Sequence, residues 1–221
     1  MGSAKVKTIV ASLLIAGSAL WLYLYLHKTP PKTDGRVHDA VGWVLAEEAA
    51  RLVTAGGGVT LLARDTTVFP NPATEAEMKG FFAAARKLKL SLAATNSIKL
   101  DPLRPVRMPP GDFADLLRKL NDGDVVVSFV GPPLLTAAQR AKVGDRKVRV
   151  LALCSGAMPQ QVDLRALFDQ NLLHEAVISQ ASPRSGPPAS DDTQGWFQLG
   201  FQLITPANLA ELPAPVAAHA P

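Results

Sequence analysis

Polar side chains that could bind a small ligand follow the short apolar runs of this sequence. The runs VTLLA, LSLAAT and VRVLAL each lead into a stretch with hydroxyl, amide or carboxylate groups. Short apolar runs bounded by such residues predict buried strands. In an open α/β sheet, ligands bind beyond the carboxyl ends of the strands. We therefore predict a binding site for a small polar ligand that consists of Asp65, Thr66, Asn96 and Ser155.

Cys154 is the only cysteine, and it lies at the end of one of these runs. A reactive thiolate needs a positive environment, usually a helix N-terminus or a histidine. The nearest histidine in the sequence, His174, precedes the next predicted strand and so belongs at the opposite edge of a parallel sheet. Free cysteine is among the most buried residue types. We predict that Cys154 packs in the sheet and that the protein has no catalytic residue and is not an enzyme, with a Cys154 nucleophile as the rejected alternative.

Motifs for cofactors and metals are missing from the sequence. It contains no G-x-G-x-x-G, no G-x-x-x-x-G-K-[ST] and no G-x-S-x-G pattern, and its four histidines show no metal-ligand spacing. A single cysteine excludes an internal disulfide and a zinc site of several cysteines. We predict no cofactor and no bound metal.

The chain is mildly basic, with a formal net charge of +4. Its densest basic stretch runs from Arg140 to Arg149, and the simplest interpretation is a solvated turn between a helix and a strand. Contact with phosphate or with an anionic membrane surface is the alternative. No aromatic residue interleaves with these cations, so the sequence does not predict a nucleic-acid partner.

The segment TIVASLLIAGSALWLYLYL, residues 8–26, is apolar and uncharged. Its length nearly spans the hydrocarbon core of a bilayer, and Trp21, Tyr23 and Tyr25 crowd its C-terminal end, where aromatic rings favour the membrane interface. A cleaved signal peptide is the alternative, but the apolar run continues well past the small residues that a peptidase would accept. We predict a tail over residues 1–7, a single transmembrane anchor in the lipid bilayer, a linker over residues 27–36, and a periplasmic or otherwise extracytoplasmic soluble domain.

Residues 37–179 alternate between predicted helices and short apolar strands. A helical pattern covers residues 37–53, and a second helix begins near Thr74, which forms a predicted capping box with Glu77. Such alternation is typical of a Rossmann-like three-layer α/β domain with a mostly parallel sheet. Residues 180–221 are rich in proline, and we predict that they form a C-terminal arm that packs partly on the domain.

The strand–helix units resemble one lobe of the type I periplasmic-binding-protein fold. The stretches GDVVVSFVGPPLLTAAQRAK and VRVLALCSGAMP are similar to its successive β-loop-α units, and the resemblance extends over Val59 to Ser179. It implies an extracytoplasmic domain that binds a small solute or derives from one that did. Those receptors close two lobes around the ligand, whereas one lobe has an open edge that cannot bury most of a small ligand.

Two functions follow from these observations. The first is a non-enzymatic, membrane-anchored domain that serves as an accessory or scaffolding subunit of a membrane complex, with other membrane-protein subunits as partners. The alternative is a membrane-tethered binding protein for a small solute. The sequence leaves a homo-oligomer open.

Overall fold

The computed structural model describes the chain over the ranges 13–23, 34–99, 108–180, 186, 188–189 and 191–213. The chain divides into two units, Met1–Thr33 and Asp34–Pro221. In the first unit, residues 13–23 form helix α1, on which Trp21 and Tyr23 are exposed. The remaining residues of the predicted anchor, Tyr25 among them, lie outside the described ranges. No helix within those ranges is long and apolar enough to cross a membrane.

The second unit alternates strands and helices along the chain. Its first helix begins at Gly35, two residues before the predicted start, because the Asp34 side chain accepts a hydrogen bond from the Arg36 amide and caps the helix. The elements are α2 (Gly35–Leu52), β1 (Val59–Arg64), α3 (Pro72–Lys87), β2 (Leu92–Ile98), α4 (Pro110–Lys119), β3 (Val125–Ser128), α5 (Ala137–Val143), β4 (Arg149–Cys154), α6 (Met158–Gln161), α7 (Leu164–Asp169), β5 (Glu175–Ser179), α8 (Thr193–Gln198), β6 (Phe201–Ile204) and a 3₁₀ helix (Pro206–Glu211).

The six strands form one sheet in the order β2-β1-β3-β4-β5-β6. The first five strands are parallel, and β6 is antiparallel to β5. The predicted α/β domain with a mostly parallel sheet is therefore confirmed. The last strand comes from the segment predicted as a C-terminal arm that packs partly on the domain, and it pairs with β5 at the edge of the sheet.

Two hydrophobic cores lie on the two faces of the sheet. Leu61, Val127 and Leu151 pack with α2, α3 and α8 on one face. Leu62 and Val126 pack with α4 and α7 on the other. Because side chains alternate between the faces of a strand, each central strand supplies both cores, which explains its unbroken apolar sequence.

Helices α2 and α3 approach each other closely through two glycines. A methyl group at Gly42 would lie 1.8 Å from the backbone oxygen of Glu77, and one at Gly80 would lie 2.0 Å from that of Asp39. Only glycine permits this separation of the two backbones. The contact fixes the position of α3 over β1 and of the loop that joins them.

Two local predictions are wrong. The side chain that caps α3 is that of Asn71, which accepts from the Thr74 amide, so Thr74 and Glu77 form no capping box. Strand β2 continues to Ile98, three residues beyond its predicted end, because its backbone stays paired with β1 as far as Arg64. Asn96 therefore lies inside a strand and does not follow one.

Candidate functional site

The sheet has a topological switch point between β1 and β3. From β1 the chain passes over α3 to β2 on one side, and from β3 it passes over α5 to β4 on the other. The loops that leave the carboxyl ends of β1 and β3 therefore diverge and leave a crevice between them. This crevice is the usual ligand site of open α/β sheets.

Two cavities open at this edge, and both are lined by Arg64 and Thr74. The first, of about 240 Å³, extends across the ends of β1, β3 and β4 and includes Gly131 and Ser155. The second, of about 410 Å³, lies between β1, β2 and α3 and includes Asp65. We call the two together the switch-point cleft.

Arg64 is the last residue of β1 and lines both cavities. Its Nε atom is buried and has no hydrogen-bond partner among the described residues. A buried donor without an acceptor is costly, since native proteins pair almost all such groups. The cleft therefore contains a charged donor that an oxygen atom of a bound molecule would satisfy.

Asp65 and Thr66 follow Arg64 at the end of β1 and line the larger cavity. Binding of a ligand by these residues stays a prediction. Oδ1 of Asp65 accepts hydrogen bonds from the amide and hydroxyl of Thr67, at 2.9 and 2.6 Å. These bonds, with a smaller contribution from Lys99, lower the pKa of Asp65. The carboxylate is thus ionised at neutral pH and held in a fixed orientation, while Oδ2 has no partner in the part of the chain that the structure describes.

The other two predicted residues, Ser155 and Asn96, do not line the cavity that contains Asp65 and Thr66. Ser155 lines the smaller cavity, so it shares the cleft but not the cavity of Asp65 and Thr66. Asn96 lines neither cavity. It pairs in register with Leu62, whose side chain lies in the core on the α4 face. The neighbouring residues Thr95 and Ser97 line the larger cavity in its place.

A hydrogen-bonded pair of a half-buried histidine and a buried glutamate borders the smaller cavity. Nδ1 of His38 on α2 lies 2.8 Å from Oε1 of Glu77 on α3, and both residues line the cavity wall. Burial raises the pKa of Glu77, and the hydrogen bond to His38 opposes that shift. No local pattern could reveal this pair, because its members are 39 residues apart. Arg64, in contrast, was recognisable as a cation at the end of a buried run.

Cys154 does not contribute to the cleft. Its side chain is fully buried in the core on the α4 face, and burial raises the pKa of its thiol. The thiolate that a nucleophile requires is therefore strongly disfavoured at neutral pH. His174 precedes β5, at the opposite edge of the sheet, as predicted. Among the described residues, no three histidine, cysteine, aspartate or glutamate side chains are grouped as metal ligands would be.

Comparison with solved structures gives similar chains among sugar-transport proteins. A solute-binding protein of an ABC transporter from Burkholderia graminis C4D1M, solved with D-arabinose, aligns at a TM-score of 0.52 and 14% identity. The alignment covers 79% of this chain and 61% of that one. The domain has a periplasmic-binding-protein-like fold. The similarity that the sequence predicted is thereby confirmed at the level of the fold.

Two further solved structures give lower scores. A sugar-binding protein of a sugar ABC transporter from Bacillus halodurans aligns at a TM-score of 0.49 and 11% identity, over 80% of this chain and 64% of that one. A carbohydrate transporter solute-binding protein from Agrobacterium radiobacter, solved with D-arabinose, aligns at 0.46 and 14%, over 81% and 61%. The chain thus spans about three fifths of the length of these proteins. No protein-family profile and no curated protein matches the chain.

Proposed function

We propose that this protein is a non-enzymatic binding domain for a small polyhydroxylated solute, held at a membrane by its N-terminal segment. The observation that carries the proposal is the switch-point cleft in a domain of periplasmic-binding-protein-like fold. The cleft contains the ionised Asp65 and the Nε atom of Arg64, which is buried without a hydrogen-bond partner among the described residues. Of the two functions predicted from the sequence, the fold supports solute binding. The accessory-subunit role remains a prediction.

The chemistry of the cleft suits hydroxyl groups. A sugar hydroxyl can donate to Oδ2 of Asp65 and accept from Nε of Arg64, and such charge-assisted hydrogen bonds are the strong ones. Thr66 and Ser97 add hydroxyls that both donate and accept. Phe82 of α3 also lines the larger cavity, and aromatic surface beside a few polar groups is typical of small-molecule sites.

The membrane tether rests on the sequence of residues 8–26. Within that segment, the described helix α1 exposes a series of large apolar side chains, which lipid would cover. They are Leu13, Leu14, Ile15, Leu20, Trp21 and Leu22. We propose that the segment is a single-pass anchor and that the α/β domain is extracytoplasmic, in accord with its fold.

Thermal unfolding of the full-length chain across a panel of pentoses and hexoses tests solute binding. A sugar present at 100 times its Kd stabilises the folded state by about 2.7 kcal/mol, because it binds the folded chain alone. For a chain of this size that raises Tm by about 5–10 °C. The Arg64→Gln variant should lose the shift. Arg86→Gln, which removes an exposed arginine of α3 outside the cleft, should keep it. The proposal is contradicted if no sugar raises Tm, or if both variants lose the sugar-induced rise in Tm equally.

A further inference from the structure

A third cavity, of about 440 Å³, lies at the other edge of the sheet, around the amino end of β4. It is bounded by the C-terminal end of α5, by the turn into β4 and by the connection from α7 to β5. Leu117 of α4 completes its wall. We call it the amino-end cavity. It includes most of the basic stretch that the sequence analysis interpreted as a solvated turn. Its charged and titratable lining residues are Arg140, Asp145, Arg146, Lys147, Arg149 and His174.

The four cations that line the cavity form no salt bridge with any described residue, although Asp145 lines the same cavity. Arg140 is half-buried, and its Nε atom is buried without a hydrogen-bond partner in the described ranges. The lining carries four cations and one carboxylate, and the Asp122 carboxylate adjoins the same turn, so the net charge around the cavity is positive. The concave shape concentrates the resulting potential.

Several parts of the lining are fixed by hydrogen bonds. Nη1 of Arg146 donates to the Leu120 carbonyl at 3.0 Å, which holds that guanidinium at the rim. The Lys147 amide donates to Oδ1 of Asp122 at 3.1 Å, so the backbone of the turn is tied to the loop between α4 and β3. The cations are therefore presented by a constrained turn, which reduces the entropy lost on binding.

His174 adds an uncharged donor. Its Nδ1 accepts a hydrogen bond from the Val150 amide at 3.1 Å, so the proton of the neutral ring resides on Nε2. Burial, and then the neighbouring Arg149, lowers the pKa of His174 to about 4. At neutral pH the ring is thus a donor through Nε2, beside four cationic side chains that line the same cavity.

We propose that the amino-end cavity binds the phosphate group of a phosphomonoester. Arginine forks match the oxygen geometry of phosphate, and a phosphate dianion can accept from Arg140, Arg149 and His174 together. The volume lies within the 300–1,000 Å³ that is typical of small-molecule sites, so it can also hold the organic part of the ligand. The phosphomonoester can belong to a soluble metabolite or to a lipid whose headgroup ends in a monoesterified phosphate, since both present the same dianion.

The test measures binding by the full-length chain of two probes, glucose 6-phosphate and phosphatidylcholine vesicles that contain phosphatidic acid, whose headgroup is a phosphomonoester, with glucose and pure phosphatidylcholine vesicles as comparators. The key variant is Arg140→Gln. Its matched control is Lys142→Gln, on the same helix, with the same change of charge and with an exposed side chain that does not line the cavity. Arg149→Gln is a second variant at an exposed position, and circular dichroism establishes that each variant is folded.

Loss of a charge-assisted hydrogen bond should weaken binding by about 10- to 100-fold in Arg140→Gln and Arg149→Gln, while Lys142→Gln stays within about twofold. This result with glucose 6-phosphate supports a soluble ligand, and the same result with the anionic vesicles alone supports a lipid headgroup. Two outcomes overturn the proposal. One is no binding of either probe by the folded chain. The other is an equal effect of Arg140→Gln and Lys142→Gln, which would indicate nonspecific attraction by net charge.

Discussion

The contact between α2 and α3 positions one wall of the switch-point cleft, and substitution of Gly42 by alanine should disrupt it. The added methyl group would lie 1.8 Å from the Glu77 backbone oxygen and 2.6 Å from the Phe81 amide nitrogen. An ordinary non-bonded contact is about 3.5 Å, so the helices would have to separate by roughly 1.5 Å. Both clashing atoms belong to backbone, and no side-chain rotation can relieve them.

Overpacking of this kind costs about 1–3 kcal/mol, and the short distance favours the upper end of that range. Alanine regains about 1 kcal/mol of helix propensity over glycine. The net loss of unfolding free energy for Gly42→Ala is therefore about 2 kcal/mol. That corresponds to a fall in Tm of about 4–8 °C for a chain of this length.

Thermal and urea unfolding of the full-length chain measure the effect, with Gly35→Ala as the control. A methyl group at Gly35 would lie 4.0 Å from Cβ of Ala76, an ordinary contact, so Tm should stay the same or rise. Gly80→Ala should act like Gly42→Ala, and the double variant should lose less than the sum because one separation relieves both clashes. A Gly42→Ala protein as stable as the control would refute the close approach of the helices.

Three further predictions concern other parts of the domain. Because the pKa of Glu77 is raised in the folded state, its contribution to stability is largest at low pH and declines as pH rises through the folded-state pKa. Urea titrations at successive pH values should show this decline in the parent chain and not in Glu77→Gln. A decline that persists in the variant would belong to another group. Because Cys154 is fully buried, a thiol reagent should modify it only as fast as the domain unfolds, and rapid modification of the native chain would contradict its burial. Asn71→Ala should lower the unfolding free energy by about 1 kcal/mol, because the variant loses the side chain that caps α3. Asn71→Asp should retain the cap, and equal stability of the two variants would disprove the capping role.

The sheet could be predicted from the sequence because its central strands are buried on both faces and are therefore continuously apolar. The strand VVVS and the run that ends at Cys154 are examples, and both form strands where the sequence placed them. The end of β2 could not be predicted in this way. Its residues are largely exposed on both faces, so the sequence there lacks an apolar signal, and pairing with β1 decides where the strand ends.

The positions of the candidate residues could be predicted only where strand ends determine them. Asp65, Thr66 and Ser155 line the cleft because the topology brings the ends of β1 and β4 to one edge. The pairing of His38 with Glu77 depends on the Gly42 and Gly80 contact between two helices, a long-range feature that no local spacing encodes. Strand β6 was missed because its pairing with β5 depends on the chain returning after residue 180.

Hydrogen exchange of the full-length chain, with and without a saturating pool of pentoses and hexoses, tests solute binding at the switch-point cleft most directly. Bound solute should slow exchange at the backbone amides of residues 65–71 and 129–131, which follow β1 and β3. Exchange in β5 and β6 should not change. Equal exchange with and without sugar, or protection confined to regions away from these two loops, would contradict the proposed function.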